Sequence, residues 1–252
     1  MAALLLTLCT LLLSLRPAAA SAAEALVAVA SNFTEALEQL EAGFEEASGH
    51  RLTVTAASTG MLYAQIRSGA PFDVFLAADQ ERPRLLQEEG DAVPGSRFTY
   101  AIGRLTLWST HPGFIGADGA ETLRAARFRT LAIANPDLAP YGMAARETLE
   151  ALGLQETLND RIVMGENIGQ THAMVATGNA ELGFVALSSV VSPRNESEGS
   201  RWDVPQELYT PIRQDAVLLT RAADNPAARD FLAYLEGADA RAVIRDFGYG
   251  VE

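Results

Sequence analysis

The stretch Leu26-Val-Ala-Val-Ala-Ser31-Asn32-Phe33 sets the terms for everything that follows it in the chain. Residues 26–30 carry no charge and include the β-branched Val27 and Val29, so they read as a buried strand. From Ser31 onward the spacing changes. Phe33, Leu37, Leu40 and Phe44 share one helical face, and Ser31 or Asn32 is placed to cap that helix, which is expected to run to Ser48 with Gly49 as its C-cap. A strand feeding straight into a helix leaves the first-turn N–H groups unpaired and pointing out of the carboxyl edge of the sheet. Such a turn suits an anion.

The junction recurs. Residues 52–56 read as a second strand and lead through Ser58-Thr59-Gly60 into a helix carrying Met61, Leu62 and Ile66. Residues 72–78 form a third strand, followed by a charged helix over 80–90. Three such units predict a parallel sheet with helices on both faces. Residues 98–109 read as one long strand crossing into a second lobe, and an irregular polar stretch around Pro112, Gly113 and Gly116 follows. Within that lobe 130–134, 162–164 and 181–187 are expected strands, while Pro140-Tyr141-Gly142 and Asn167-Ile168-Gly169 open helices, proline fitting the first helical position. Residues 192–205 lack periodicity and predict a loop. A second crossover falls in 212–220, and helices over 226–235 and 238–247 come last. The expected fold is α/β with two lobes, each a mostly parallel sheet flanked by helices: lobe 1 from 24–103 plus 213–252, lobe 2 from 104–212 inserted between them, and a ligand cleft where they meet.

Residues 1–23 read as a signal peptide rather than as part of the fold. The apolar run over 4–15 is long enough for its central region and short for a membrane span, and Ser21-Ala22-Ala23 offers a small-residue cleavage site before Glu24. No basic residue precedes the run; Arg16 follows it. The single cysteine, Cys9, lies inside this segment, so the mature chain is expected to lack thiol catalysis, disulfides and thiolate metal sites, which suits a bacterial periplasm. The formal net charge of −13 argues against nucleic acid or an anionic membrane as a partner.

That charge also opposes an anionic ligand at long range, so the source of the attraction has to be local. Four junctions, Ser31-Asn32, Ser58-Thr59-Gly60, Pro140-Tyr141-Gly142 and Asn167-Ile168-Gly169, each follow a strand and open a helix, two per expected lobe. In open α/β sheets, ligands sit outside the carboxyl ends of the strands, so all four can face one cleft. Each helix start contributes about half a positive charge, so four offset a dianion with no Arg or Lys in contact. The field of the whole acidic protein is screened over about 8 Å at physiological salt, whereas the junctions act at hydrogen-bond distance. A single capped helix start is ordinary structure in any α/β domain; it is their number and order that point to an oxyanion.

Val-Ala-Ser-Asn-Phe33, Ala-Ser-Thr-Gly60 with Tyr63-Ala-Gln-Ile66, Gly69-Ala-Pro-Phe-Asp-Val-Phe-Leu-Ala-Ala-Asp79, Ala139-Pro-Tyr-Gly142 and Glu181-Leu-Gly-Phe-Val185 together resemble the periplasmic molybdate-binding proteins of molybdate ABC importers. The resemblance runs from about Ala25 to Val251, and the 69–79 block is its most specific string. It implies the two-lobed periplasmic binding protein fold of type II, a monomer that captures molybdate or tungstate and hands it to a membrane permease, no cofactor and no enzymatic activity. It places oxyanion contacts on the Ser31 hydroxyl and N–H, on Thr59, and on the backbone N–H groups of Tyr141 and Ile168, with the Asn32 N–H close by and Ser58 as a neighbour. These contacts touch the oxygens of the anion and not its metal. One departure stands out: some members have a ligand-contacting Tyr where this chain has Ala186, and those members have a small residue at the Tyr141 position, so the Tyr141 phenol is a candidate substitute.

The rival readings are a receptor of the same fold for sulfate or phosphate, and a periplasmic phosphate or sulfate ester hydrolase. The hydrolase has no nucleophile–base pair behind it, and no His-x-x-x-His pair, Gly-x-Ser-x-Gly elbow or phosphate-cradling Gly-x-x-x-x-Gly-Lys is present. Asp73 and Asp79 are read as a strand-end hydrogen-bond acceptor and a helix cap. His50 and His111 are expected to face solvent, and His172 to pack on a helix surface or flank the cleft.

Overall fold

The computed structural model describes residues 22–197 and 199–252, so the expected signal peptide and Cys9 lie outside the described residues but for Ala22 and Ala23. β1 (Glu24–Ala30) passes through a 3-10 turn, Ser31–Phe33, into α1 (Thr34–Ser48), and Gly49 ends that helix in the left-handed conformation (φ 75°) open to glycine. β2 (Arg51–Ala57), α2 (Thr59–Arg67), β3 (Val74–Leu76) and α3 (Glu81–Glu88) follow. The 98–109 run is not one strand but two, β4 (Phe98–Gly103) and β5 (Leu105–Ser109), parted at Arg104 and belonging to different sheets. Then come α4 (Gly119–Ala125), β6 (Leu131–Ala134), α5 (Pro140–Ala151), the short α6 (Gln155–Leu158), β7 (Ile162–Gly165), α7 (Ile168–Ala176), β8 (Leu182–Ala186) and α8 (Leu187–Val191). The last elements are β9 (Ser200–Asp203), β10 (Ile212–Leu218), α9 (Pro226–Leu235) and α10 (Ala238–Asp246).

The strands form two five-stranded sheets, ordered β2-β1-β3-β10-β4 and β7-β6-β8-β5-β9. Each has three parallel strands, then one antiparallel strand, then an outer strand antiparallel to that one. In both sheets the antiparallel strand, β10 or β5, lies next to a crossing of the chain between sheets. The first sheet takes β10 from the far side of the second, so the two are laced together at Arg104 and again before Ile212.

Several sequence expectations shift for identifiable reasons. β9 falls inside the stretch read as a loop; it pairs only with β5 at the sheet edge, and its Ser-Arg-Trp-Asp sequence carries no apolar run because one side stays open. β8 gives way to α8 at Leu187. The third strand is shorter than 72–78. At its start, Asp73 accepts from the Leu26 N–H (2.8 Å) and pairs with Arg221; at its end, the Ala77 N–H leaves the parallel ladder to reach the Asp215 carbonyl (3.0 Å). Asp79 accepts from the Arg82 N–H (3.0 Å), capping the start of α3. His50 is buried rather than solvent-facing: its ring accepts from the Ala23 N–H (3.1 Å) and meets Asp230 of α9 (3.2 Å), which pins the turn into β2 against the end of the sheet. His111 is exposed, as expected.

The helical face of Phe33, Leu37, Leu40 and Phe44 does what its spacing predicts, burying itself on Val27 and Val29 of β1 together with Phe231 of α9 and Ile244 of α10. Phe44 and Phe231 meet edge to face at 5.3 Å. A second core joins Leu107, Ile133, Leu149, Leu158 and Phe184 in the other half.

β10 also carries Asp215, only 1% exposed, paired with Arg97 and accepting from the hydroxyl of Thr99 (2.7 Å) and the amide of Gln80 (3.1 Å). Removing the cation strands a buried carboxylate, whereas the Arg84 pairs with Glu81 and Glu88 lie in solvent. Arg97→Ala is therefore expected to cost about 3 kcal/mol and Arg84→Ala about 0–1 kcal/mol, read from urea unfolding; equal costs would contradict this placement of the charge.

Candidate anion-binding site

The four helix starts singled out from the sequence lie against one another across the two sheets. The Ser31 hydroxyl, at the end of β1, accepts from the Gly169 N–H at the start of α7 (3.2 Å). The Gly60 N–H, at the start of α2, donates to the Leu138 carbonyl just before α5 (2.8 Å). Ala30, Ala78, Ala139, Tyr141 and Ile168 pack in one buried cluster. Each of the five residues expected from the sequence, Ser31, Asn32, Thr59, Tyr141 and Ile168, is in this region, and Ser31 alone of the five is not fully buried.

The capping chemistry differs from expectation. Neither Ser31 nor Asn32 caps α1; the chain leaves β1 in a tight 3-10 turn whose N-cap is Ala30, with no side-chain bond. The Ser31 hydroxyl is turned instead toward the other sheet, and the Asn32 side chain turns inward. Thr59 opens α2, and its hydroxyl oxygen accepts from the Ala78 N–H (3.0 Å). Ser31 and Thr59 thus both hold their oxygens by accepting a backbone N–H, which leaves each O–H free to donate. Ser58, the N-cap of α2, is buried with a hydroxyl that has no partner among the described residues. At α7 the expected design holds, the Asn167 side chain accepting from the Gln170 N–H (2.9 Å).

The backbone N–H groups of Asn32, Thr59, Tyr141 and Ile168 lie in the first turns of their helices, ahead of the intrahelical ladder, and meet no side-chain acceptor among the described residues. Buried N–H groups left open are costly, so a cluster of them marks a place built for an external acceptor. Arg82 approaches, its guanidinium reaching the Asp137 carbonyl (3.3 Å), but its charge is engaged by Asp79. Burial pushes the Asp79 carboxyl pKa up, and Arg82 works against that shift. The positive potential is therefore that of helix starts, which do not titrate.

A buried polar network underlies the site. The Asn32 amide donates to the Gln214 side-chain oxygen (2.9 Å) and to the Tyr249 hydroxyl (3.1 Å), while the Asn32 carbonyl lies 2.6 Å from the Tyr249 hydroxyl and 3.2 Å from that of Ser188. Gln214 also accepts from Tyr100 (3.0 Å) and donates to the Tyr141 phenol (3.2 Å). Sequence reading missed Gln214, Tyr100 and Tyr249. The available signal was the Gln-Asp pair at 214 and 215, which after Arg213 extends a polar run ahead of the apolar Ala216-Val-Leu218, longer than strand alternation allows.

His172 flanks the cleft. Its ring stacks on Trp108 (4.8 Å, 12°), and its Nε2 atom is buried without a partner among the described residues, beside a cavity of about 310 Å³ that Ser31, Glu35, Gly169 and Arg194 also line.

Two sheets laced by two crossings, with helix starts from both meeting in one cleft, form an arrangement suited to enclosing a small solute. The chain matches the model of the bacterial extracellular solute-binding protein family over residues 25–250 and belongs to that family. Among characterised relatives, it is 51% identical over 234 residues to the molybdate-binding protein ModA of Azotobacter vinelandii, covering 93% of this chain and 92% of the relative. It is 47% identical over 233 residues to ModA of Rhodobacter capsulatus, covering 92% and 90%. The solved structure of the Azotobacter vinelandii periplasmic molybdate-binding protein superposes with a TM-score of 0.87 at 41% identity, covering 90% of this chain and 99% of that one.

Burial lowers the His172 pKa from its ordinary value of 6.5, Glu35 pulling weakly the other way. Below pH 6.5 the unfolded chain then binds a proton that the folded one resists, so this contribution to stability is complete above 6.5 and is lost as the pH falls toward the folded-state pKa. His172→Phe keeps the stack on Trp108 and removes the titration. The fall in melting temperature on acidification below pH 6.5 is expected to be shallower in this variant than in the wild type.

Proposed function

We propose that this protein is a periplasmic receptor that captures molybdate, and tungstate with it, and delivers it to the permease of an ABC importer. The observation that carries this reading is the meeting of four helix starts from both sheets, with open N–H groups and two oriented hydroxyls and with the nearby Arg82 already engaged. The ModA relatives, matched over nearly their whole length, narrow the oxyanion to molybdate.

In this reading Ser31 donates through its hydroxyl and its N–H, Thr59 through its hydroxyl, and Tyr141 and Ile168 through their backbone N–H groups, with the Asn32 N–H beside them. The protein works as a monomer without a cofactor and catalyses no reaction. Lobe 1, 24–103 plus 213–252, and lobe 2, 104–212, turn about the crossings at Arg104 and before Arg213 to close over the anion. Selection among tetrahedral dianions is by size: a rigid ring of donors set for molybdate leaves the smaller sulfate short of full contact. The closed form is what the permease recognises.

The test is thermal unfolding with matched concentrations of molybdate, tungstate and sulfate. Selective binding to the native state raises the melting temperature by mass action, so a rise with molybdate and tungstate and none with sulfate is expected. A rise with sulfate alone would make this a sulfate receptor, and no rise with any oxyanion would remove the reading. Thr59→Val keeps the shape of the side chain and deletes its donor, together with the acceptor of the Ala78 N–H, whose loss is read separately as the change in melting temperature of the unliganded protein. A hydrogen bond to a charged partner is worth about 1.5–3 kcal/mol, so molybdate affinity by calorimetry should fall roughly 10- to 100-fold.

A further inference from the structure

Gln214 is fully buried in β10 at the irregular step where that strand shifts register against β4. It uses both ends of its amide. The oxygen accepts from the Asn32 side chain (2.9 Å) and the Tyr100 hydroxyl (3.0 Å), and the nitrogen donates to the Tyr141 phenol (3.2 Å). Asn32 stands in the turn after β1, in the first half of the molecule, and Tyr141 in the first turn of α5, in the second. One side chain is therefore bonded to two of the residues whose backbone N–H groups face the cleft, one from each sheet.

The surroundings are shaped for this bond. Gly103 ends β4 one residue before the crossing at Arg104, and a Cβ there would collide with the Tyr141 phenol oxygen and come within 2.6 Å of the Gln214 amide nitrogen. Only a bare backbone at 103 lets the phenol cross the hinge strand and reach the amide. The phenol is thus engaged at the hinge.

We infer that Gln214 is a positioning residue for anion binding: it locks the Asn32 and Tyr141 turns into their donating geometry when the two sheets come together, and so holds the closed, liganded state shut. This rests on the functional reading above. A neutral amide is the group suited to the task, since it supplies an acceptor on one side and a donor on the other without placing a charge beside an anion. A contact present in the closed state and lost on opening acts chiefly on the rate of ligand release.

The experiment measures molybdate affinity and dissociation rate for wild type, Gln214→Met, Gln214→Glu and Tyr141→Phe, with melting temperatures of the unliganded proteins alongside. Gln214→Met fills the same space with no polar atom and is expected to weaken binding at least tenfold, mostly through faster release. Tyr141→Phe should weaken it less, and Gln214→Met added to Tyr141→Phe should cost less than Gln214→Met alone. Gln214→Glu separates positioning from plain destabilisation. Its protonated carboxyl reproduces the amide's acceptor and donor, while its ionised form loses the donor and repels the anion. Burial raises the pKa of such a carboxyl. The affinity deficit of Gln214→Glu relative to wild type should therefore shrink as the pH is lowered from 8.5 to 5.5 (roughly, within the range opened by such shifts).

Around position 214 the facing groups are Tyr100, Tyr141 and Tyr249, all pushed upward by burial and so neutral throughout, and Asp215, which is held by Arg97. Wild-type affinity within twofold in Gln214→Met, or a Gln214→Glu deficit that does not change with pH, overturns the inference while leaving the receptor reading intact. If the wild-type protein itself fails to bind molybdate, both fall.

Discussion

In the proposed receptor an anion is held in a protein of net charge −13, with no free cation beside it among the described residues, through N–H groups at helix starts. The rest of the architecture supplies that one condition. Parallel strands deliver helix starts to a common edge, and the two sheets bring those edges face to face. Gly142 shows how tight the arrangement is: a Cβ there would meet the backbone at the end of β6, about 2.7 Å from the Ala134 carbonyl carbon, so only glycine lets the first turn of α5 sit this close to the strand it serves. The open donors are a cost in the empty protein. Binding repays it, so recognition and stability are coupled through the same few atoms.

The four helix starts of the candidate anion site were legible in the sequence because each junction is local. Strand, turn residue and helix follow one another within a few positions at Ser31, Thr59, Tyr141 and Ile168, and spacing alone reveals each junction. The roles of the side chains at those junctions were less legible. Ser31 reads as a helix cap in isolation, and only the approach of Gly169, 138 residues away, shows that its hydroxyl is committed to the opposite sheet. The hinge network was hidden for the same reason. Asn32, Tyr100, Tyr141, Gln214 and Tyr249 are brought together by sheet order, and no local pattern announces a bond spanning 182 residues. β9 escaped notice on different grounds, since an edge strand buries too little to need the apolar alternation by which strands are recognised.

The division between donors and positioning groups follows from geometry. Backbone N–H groups are fixed in number and direction, so they define size and charge of the ligand. They cannot report whether the opposite sheet has arrived. In the role inferred for Gln214, that task falls to a side chain at the hinge, a neutral amide bonded to both turns without a charge beside the anion.

The strand order has a consequence for how the chain acquires its shape. Among the described residues β4 has no partner in its sheet other than β10, apart from a single bridge between Ile102 and Gly250, and β10 does not begin until Ile212. The second sheet needs nothing beyond β9, which ends at Asp203. As the polypeptide is made from its N-terminus, the half that is started first is thus the last that can close, and until then β3 and β4 present unpaired edges. Any early stop in synthesis before residue 212 leaves those edges open, so a truncated product is a substrate for aggregation or proteolysis rather than a weak receptor.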